Sequence, residues 1–295
     1  MAGVALAAEG RSHELRTRDL RMHCVEYPGG APTLLLLHSL TGNARIFDGL
    51  IAAGLAPAFR VLAPDMRGRG ETEIRLAGYS LDDGCADLIA LLDELGVGRV
   101  AVAGHSFGGL LGIYFAVRHP ERVSHLVLLD AAAEMHPAAP LMTAAATTRL
   151  DQVYPSLAAY RSAVQMSPFV NRWHEEMNAF VEADAQPLGG GAVTSRSRGF
   201  VAAAAALHIH GLSRRDWRGL AAAVGQPALL IQATEPFLLG MPMVPDDQAE
   251  QTARLMNARQ ARATGNHFTM LFGAGADEIT ASITAFLRGR PAPLT

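Results

Sequence analysis

Short, largely apolar runs alternate along this chain with longer stretches whose apolar positions recur at helical spacing. Residues 33–37 (Thr-Leu-Leu-Leu-Leu), 59–63, 99–103, 123–129 and 228–232 are of the first kind. A run of that length, bounded by turn residues, predicts a strand covered on both faces, as in a parallel sheet. Residues 259–263 return the chain to the same sheet. Before these, the alternation over 14–18 and 21–26 predicts two half-buried strands. They follow a loose tail over 1–12 and are joined by a turn near Arg18-Asp19. Helices are predicted over 47–56, over 81–95 (capped by Ser80 and stopped by Gly96), over 110–119 and over 276–288, the last before a Pro-rich tail. Asp246 and Asp247 are expected to cap a further helix over 248–256. Strand–helix alternation with compact loops makes this an α/β chain with a doubly wound, mostly parallel sheet.

The rhythm breaks over residues 134–216. Helical patterns cover 141–152, 156–166, 173–183 and 198–210, with no convincing strand and a flexible break at Gln186-Pro-Leu-Gly-Gly-Gly191. A helical insertion after a parallel strand, placed over the ligand edge, is a lid. The expected organisation is therefore a core of residues 1–133 and 217–295 with a helical cap over 134–216.

Composition narrows the picture only a little. The 295 residues are 49% hydrophobic with a net charge of −3, which gives no reason to expect nucleic acid. No apolar run is long enough to span a membrane, and the N-terminal residues lack the basic start of a secretory signal. Cys24 and Cys85 lie far apart with no metal or redox spacing, so both read as reduced thiols in a cytoplasmic protein. His208-x-His210 on a helix points its rings to different faces, so no metal and no cofactor are expected. The expected partner is a small-molecule substrate, and the expected state a monomer or homodimer.

Chemistry gathers where the predicted strands end. His38, Asp65, Ser106 and Asp130 each follow an apolar run, and ligands of such sheets bind outside the strands' carboxyl ends. The run over 99–103 leads into Gly104-His-Ser106-Phe-Gly108-Gly109 and then a helix, the strand–turn–helix context of a nucleophile elbow. Ser106 needs a base, and the base an orienting carboxylate. His267, in a Gly-containing loop after 259–263, is the best base; His119, His125, His136, His208 and His210 read as surface or packing residues. In this fold class the acid falls between serine and histidine in chain order. Glu235, in the loop after 228–232, is favoured, with Asp130 as the alternative. The oxyanion hole needs two donors: the Phe107 amide and, from the loop after 33–37, that of Leu40.

His38-Ser39-Leu40, Asp65-Met-Arg-Gly-Arg-Gly70, Gly104-His-Ser-Phe-Gly-Gly109 and Gly265-Asn-His267-Phe, in that order, resemble the α/β-hydrolases of the lidded type. That family includes esterases, lactonases, carbon–carbon bond hydrolases, epoxide hydrolases and haloalkane dehalogenases. The resemblance implies Ser106 as nucleophile, His267 as base, and Leu40 and Phe107 as oxyanion donors. Two positions depart from the pattern. Ser39 stands where the family usually has glycine, and Gln232-Ala-Thr-Glu235 replaces the usual Gly-x-x-Asp. A serine nucleophile argues against the dehalogenase and epoxide hydrolase branches, whose chemistry needs an attacking carboxylate.

The leading expectation is a serine hydrolase cleaving a hydrophobic carboxylic ester or lactone through an acyl-enzyme. The alternatives are a carbon–carbon bond hydrolase or acyltransferase using the same triad, and a hydrolase-like ligand receptor with little turnover. Substrate is expected against His38, Ser39, Met135, Met166, Trp173, Met177, Phe237 and Met241, with Met243 and Met270 also candidates for a pliable pocket.

Overall fold

The computed structural model describes residues 9–17 and 19–289. Most of the expected N-terminal tail (1–8), the turn residue Arg18 and the Pro-rich tail (290–295) lie outside the described residues.

Eleven strands occur among the described residues. Six precede the expected cap: β1 (Arg11–Arg16), β2 (Arg21–Tyr27), β3 (Leu34–Leu37), β4 (Val61–Pro64), β5 (Val100–His105) and β6 (Val123–Leu129). Three are short, namely β7 (Val153–Tyr154), β8 (Ala185–Gly189) and β9 (Ala192–Ser195), and β10 (Ala228–Ala233) and β11 (Arg259–Ala263) close the chain's sheet. The main sheet has the order β1-β2-β4-β3-β5-β6-β10-β11. Its first two pairings are antiparallel and the rest parallel. All four leucines of β3 are buried, and alternate ones serve opposite faces: Leu34 and Leu36 pack with one core cluster, Leu35 and Leu37 with the other. Two-sided burial is why these strands read as continuous apolar runs. Each such leucine contributes on the order of 2 kcal/mol.

Helices cover both faces. The helix Leu81–Glu94 starts on the expected Ser80 cap, which forms a reciprocal box with Asp83. The helix expected over 47–56 is broken instead into a 3-10 turn (Ala44–Phe47) and two short helices, Asp48–Ala52 and Leu55–Ala58. Gly54, at φ 90°, interrupts the helical path between them. Asp246 and Asp247 do not cap; they form the first turn of the helix Asp246–Met256, where their charge suits the dipole.

The stretch after β6 corrects the sequence reading. It holds the helices Ala139–Thr147, Leu157–Gln165, Met177–Asp184 and Gly199–Gly211, but also a three-stranded antiparallel sheet in the order β7-β9-β8. The break expected over 186–191 is instead most of β8 and the hairpin turn that joins it to β9, where Gly189, Gly190 and Gly191 all take positive φ. Pro187 is tolerated because β8 is an edge strand. Tyr160, Val164, Phe180 and Val181 from this stretch join the core cluster of Leu34 and Leu36, so its apolar face is continuous with one face of the main sheet.

Candidate active site

A single residue, Ser106, separates β5 from the helix Phe107–Arg118. The bend holds Ser106 at φ 55° and ψ −117°, a region that side-chain-bearing residues avoid. Glycine is required around it: a Cβ on Gly104 would meet the backbone of Gly108, and one on Gly108 the backbone of Leu37. The Phe107 amide opens the helix and so has no intrahelical acceptor. Ser106, Phe107 and Leu40 line one cavity of about 300 Å³, together with His267.

His267 sits in a braced loop after β11. Asn266 accepts the amides of Phe268 and Thr269 on its Oδ1, both at 2.9 Å, and donates from Nδ2 to the Phe169 carbonyl at 2.9 Å. From behind, His105 Nε2 donates to the His267 carbonyl at 2.7 Å, with the two rings 4.7 Å apart. Burial, reinforced by the neighbouring His267, keeps His105 well below the ordinary histidine range, so it stays neutral. His267 Nδ1 lies 2.6 Å from Asp130 Oδ2. A carboxylate oxygen accepts from a ring N–H, so in this pair Nδ1 is the donor and Nε2 is the other ring nitrogen.

The acid favoured for its place after the penultimate strand, Glu235, is therefore not the one beside the histidine; the alternative, Asp130, is. Asp130 follows β6 at φ 44°, a left-handed conformation that aspartate tolerates. Its second oxygen accepts the Ala233 amide at 3.0 Å. Glu235 turns elsewhere: its amide donates to the Gly265 carbonyl at 3.0 Å, and its carboxylate accepts from Asn171 Nδ2 at 2.6 Å. Strand order puts the loop after β10 beside that of β11, and the loop after β6 beside the elbow. What separates the two acids is side-chain direction, the Glu235 carboxylate meeting Asn171 and that of Asp130 meeting the His267 ring.

Among the residues expected to touch substrate, Ser39, Met135 and Phe237 line the cavity, as does Met243. His38 does not. It is buried, its Nδ1 donates to the Ser39 carbonyl at 2.7 Å, and its Nε2 accepts the Met66 amide at 2.9 Å. Burial brings it down to about 4, so it too is neutral. Met166 is 84% exposed at a helix end, and Met177 is sealed in the core. Trp173, Met241 and Met270 pack outside the cavity lining.

The sequence reading missed several cavity residues. Phe169, Phe180 and Phe268 form an aromatic wall with Phe237, whose ring stands edge-on to His267 at 5.1 Å. Only Phe268 carried a signal, its place beside His267. Arg149 donates to the Thr41 carbonyl and to the Ala146 carbonyl, both at 2.7 Å, and so ties the stretch after β6 to the loop after β3. Glu134, paired with Arg214 and Arg218, and His210 also border the cavity. Cys24 and Cys85 are buried, free thiols. Among the described residues, no helix is long and apolar enough to cross a membrane, and no three His, Cys, Asp or Glu side chains gather as a metal set.

A strained serine after a central parallel strand, facing a cavity shared with a histidine–aspartate pair, is the arrangement expected of one fold family. The profile of the alpha/beta hydrolase fold matches residues 32–274, and the chain belongs to that family. Lipase LipV of Mycobacterium tuberculosis is 38% identical over 112 residues, which is 38% of this chain and 42% of that protein. A soluble epoxide hydrolase of Corynebacterium sp. is 34% identical over 125 residues, 42% of this chain and 43% of that protein. The chain spans well under half the length of the curated relatives it matches, 30% for the first of them. Among solved structures, E-2-(acetamidomethylene)succinate hydrolase superposes with a TM-score of 0.82 at 21% identity, over 95% of this chain and 100% of that one, a likeness of fold.

Proposed function

We propose that this protein is a serine hydrolase that cleaves a hydrophobic carboxylic ester or lactone through an acyl-enzyme on Ser106. The observation that carries the reading is the His267–Asp130 pair at 2.6 Å opening onto the same cavity as Ser106. His267 Nε2 takes the Ser106 proton as Oγ attacks the carbonyl carbon, and Asp130 stabilises the imidazolium that results. The amides of Phe107 and Leu40 receive the oxyanion. His267 then returns the proton to the leaving alkoxide, and a water activated the same way releases the acid. The aromatic wall beside His267 favours an apolar acyl or aryl group. Residues 134–216 act as a lid that selects substrate, since Phe169 and Phe180 reach the cavity from that stretch.

Intact-mass spectrometry after a fluorophosphonate, alongside turnover of short p-nitrophenyl esters, tests this. The expected result is one adduct and steady turnover in the wild type, with neither in Ser106→Ala, whose kcat falls by about 10⁴–10⁶. An alanine variant keeping a tenth of wild-type turnover would remove Ser106 as nucleophile. A burst without steady turnover would favour a ligand receptor.

A further inference from the structure

Arg69 is among the largest fully buried side chains of the protein, yet no carboxylate among the described residues lies within ion-pair distance of it. The neighbouring Arg67 shows the ordinary solution, a two-pronged pair with Asp87 at 2.6 and 2.7 Å. Arg69 has nothing of the kind. Its Nε donates to the Leu40 carbonyl at 3.1 Å, its Nη1 to the Arg67 carbonyl at 2.9 Å, and its Nη2 finds no protein partner. Its guanidinium lies over the Phe107 ring, 5.2 Å from the centroid. A buried, unpaired cation is costly, and folds usually neutralise or expel one. The contacts here do neither: outside its own loop they run to Leu40 and Phe107, the two residues whose amides are the candidate oxyanion donors.

We propose that Arg69 is a positioning residue for the oxyanion hole, clamping the loop after β3 to the start of the helix after the elbow and presenting a positive charge to that region. The inference rests on the serine hydrolase reading above. The loop is braced on either side of Leu40, at the Ser39 carbonyl by His38 and at the Thr41 carbonyl by Arg149. Arg69 holds the Leu40 carbonyl between them, whereas Phe107 is fixed by the helix. Holding the Leu40 carbonyl restrains the Leu40–Thr41 peptide plane. The plane before it, which carries the Leu40 amide, is held through the Ser39 carbonyl by His38, and the two restraints together limit rotation at Leu40. The cation–π contact makes the clamp two-sided. Burial brings Arg69 down to about 10, so it remains charged at neutral pH. With no carboxylate to neutralise it in a low-dielectric setting, that charge is felt most when the substrate oxygen becomes anionic.

An oxyanion-hole donor is worth about 10²–10³ in kcat, and a residue acting through two donors should cost somewhat less when removed. Arg69→Met and Arg69→Gln are each expected to lower kcat on a p-nitrophenyl ester by about 10- to 100-fold, with KM changed by less than about threefold. Affinity for an arylboronic acid, which mimics the tetrahedral intermediate, should fall by the same factor as kcat. Affinity for a non-reactive ether isostere of the ester should not move. Arg69→Lys keeps a charge and a donor, and should recover part of the loss. It also serves where the neutral variants do not fold, with kcat and boronate affinity reduced together. Folded neutral variants with kcat within twofold of wild type would overturn the assignment. So would a loss confined to KM with boronate affinity unchanged, or an Arg69→Lys protein indistinguishable from wild type in both readouts. Failure of the parent reading looks different, because the wild type itself would then neither turn over the ester nor bind the boronate.

Discussion

Two histidine–aspartate pairs lie at the same edge of the main sheet, and they are nearly identical in local geometry. His267 Nδ1 meets Asp130 at 2.6 Å, and His23 Nδ1 meets Asp65 at 2.7 Å. Both pairs are buried, and both aspartates follow a parallel strand. What differs is the surroundings. Asp65 also accepts the amides of Ala44 and Glu71, at 2.7 and 2.9 Å, and the far nitrogen of His23 meets the Ser12 hydroxyl at 3.2 Å. Every polar atom of that pair is committed to protein. His267 instead belongs to a cavity wall shared with Ser106. A closed pair holds four segments together; a pair with one end open can move a proton.

The sharpest way to break that comparison is to neutralise each aspartate in turn. Asp130→Asn should lose about 10⁴ in kcat on an ester with little change in thermal midpoint, because the histidine loses its correct tautomer and the fold loses little. Glu235→Gln should keep kcat within about threefold. A crippled Glu235→Gln beside an active Asp130→Asn would restore the reading taken from chain order.

Asp65→Asn should show the opposite pattern. Removing one partner of a buried pair costs about 3 kcal/mol, here visible in urea unfolding, while kcat per folded molecule stays within a few-fold. A D65N protein as inactive as D130N, at full stability, would mean that the two pairs are not functionally distinct.

The smallest effect is the pH dependence of the closed pair. Burial alone lowers His23, but the hydrogen bond and charge of Asp65 outweigh it and raise the imidazole above its ordinary value. For Asp65, burial raises the carboxyl, but His23 outweighs it and the net direction is down. The His23 contribution is therefore fully present below the ordinary histidine value, about 6.5, and is lost as pH rises through the raised one. The difference in thermal midpoint between wild type and His23→Gln should be largest near pH 6 and shrink toward about pH 9, by a few degrees at most. A difference that grows with pH would reverse the sign of the coupling.

Much of this was legible along the chain because two-sided burial writes itself as unbroken apolar runs, and the elbow writes itself as glycines around Ser106. The small sheet of β7, β8 and β9 was not. β7 is two residues long, and β8 reads Ala-Gln-Pro-Leu-Gly, largely exposed, so neither has the alternation or apolar run that marks a strand. Asp130 was visible only as a candidate. What sets it apart from Glu235 is side-chain direction, the Asp130 carboxylate meeting His267 while that of Glu235 meets Asn171, and linear spacing records neither contact. The aromatic wall was hidden for the same reason: Phe169, Phe180, Phe237 and Phe268 come from separate segments and meet only once the chain is folded.

The place of Asp130 also marks where this protein tolerates rewriting. With the Asp130 carboxylate already at His267 Nδ1, the segment from Glu235 to Gly240 has no duty at that atom in the proposed mechanism. It still provides a cavity wall through Phe237, while Leu239 at its tip is 77% exposed. A combinatorial library over that segment that keeps Phe237, whose ring meets His267, should vary the rest of the loop while leaving the Asp130 carboxylate in place, and most of its members should remain folded. The same diversity placed after β6 would strike the carboxylate in nearly every clone. On the proposed reading, the loop after β10 can be varied for substrate preference without removing the carboxylate beside His267.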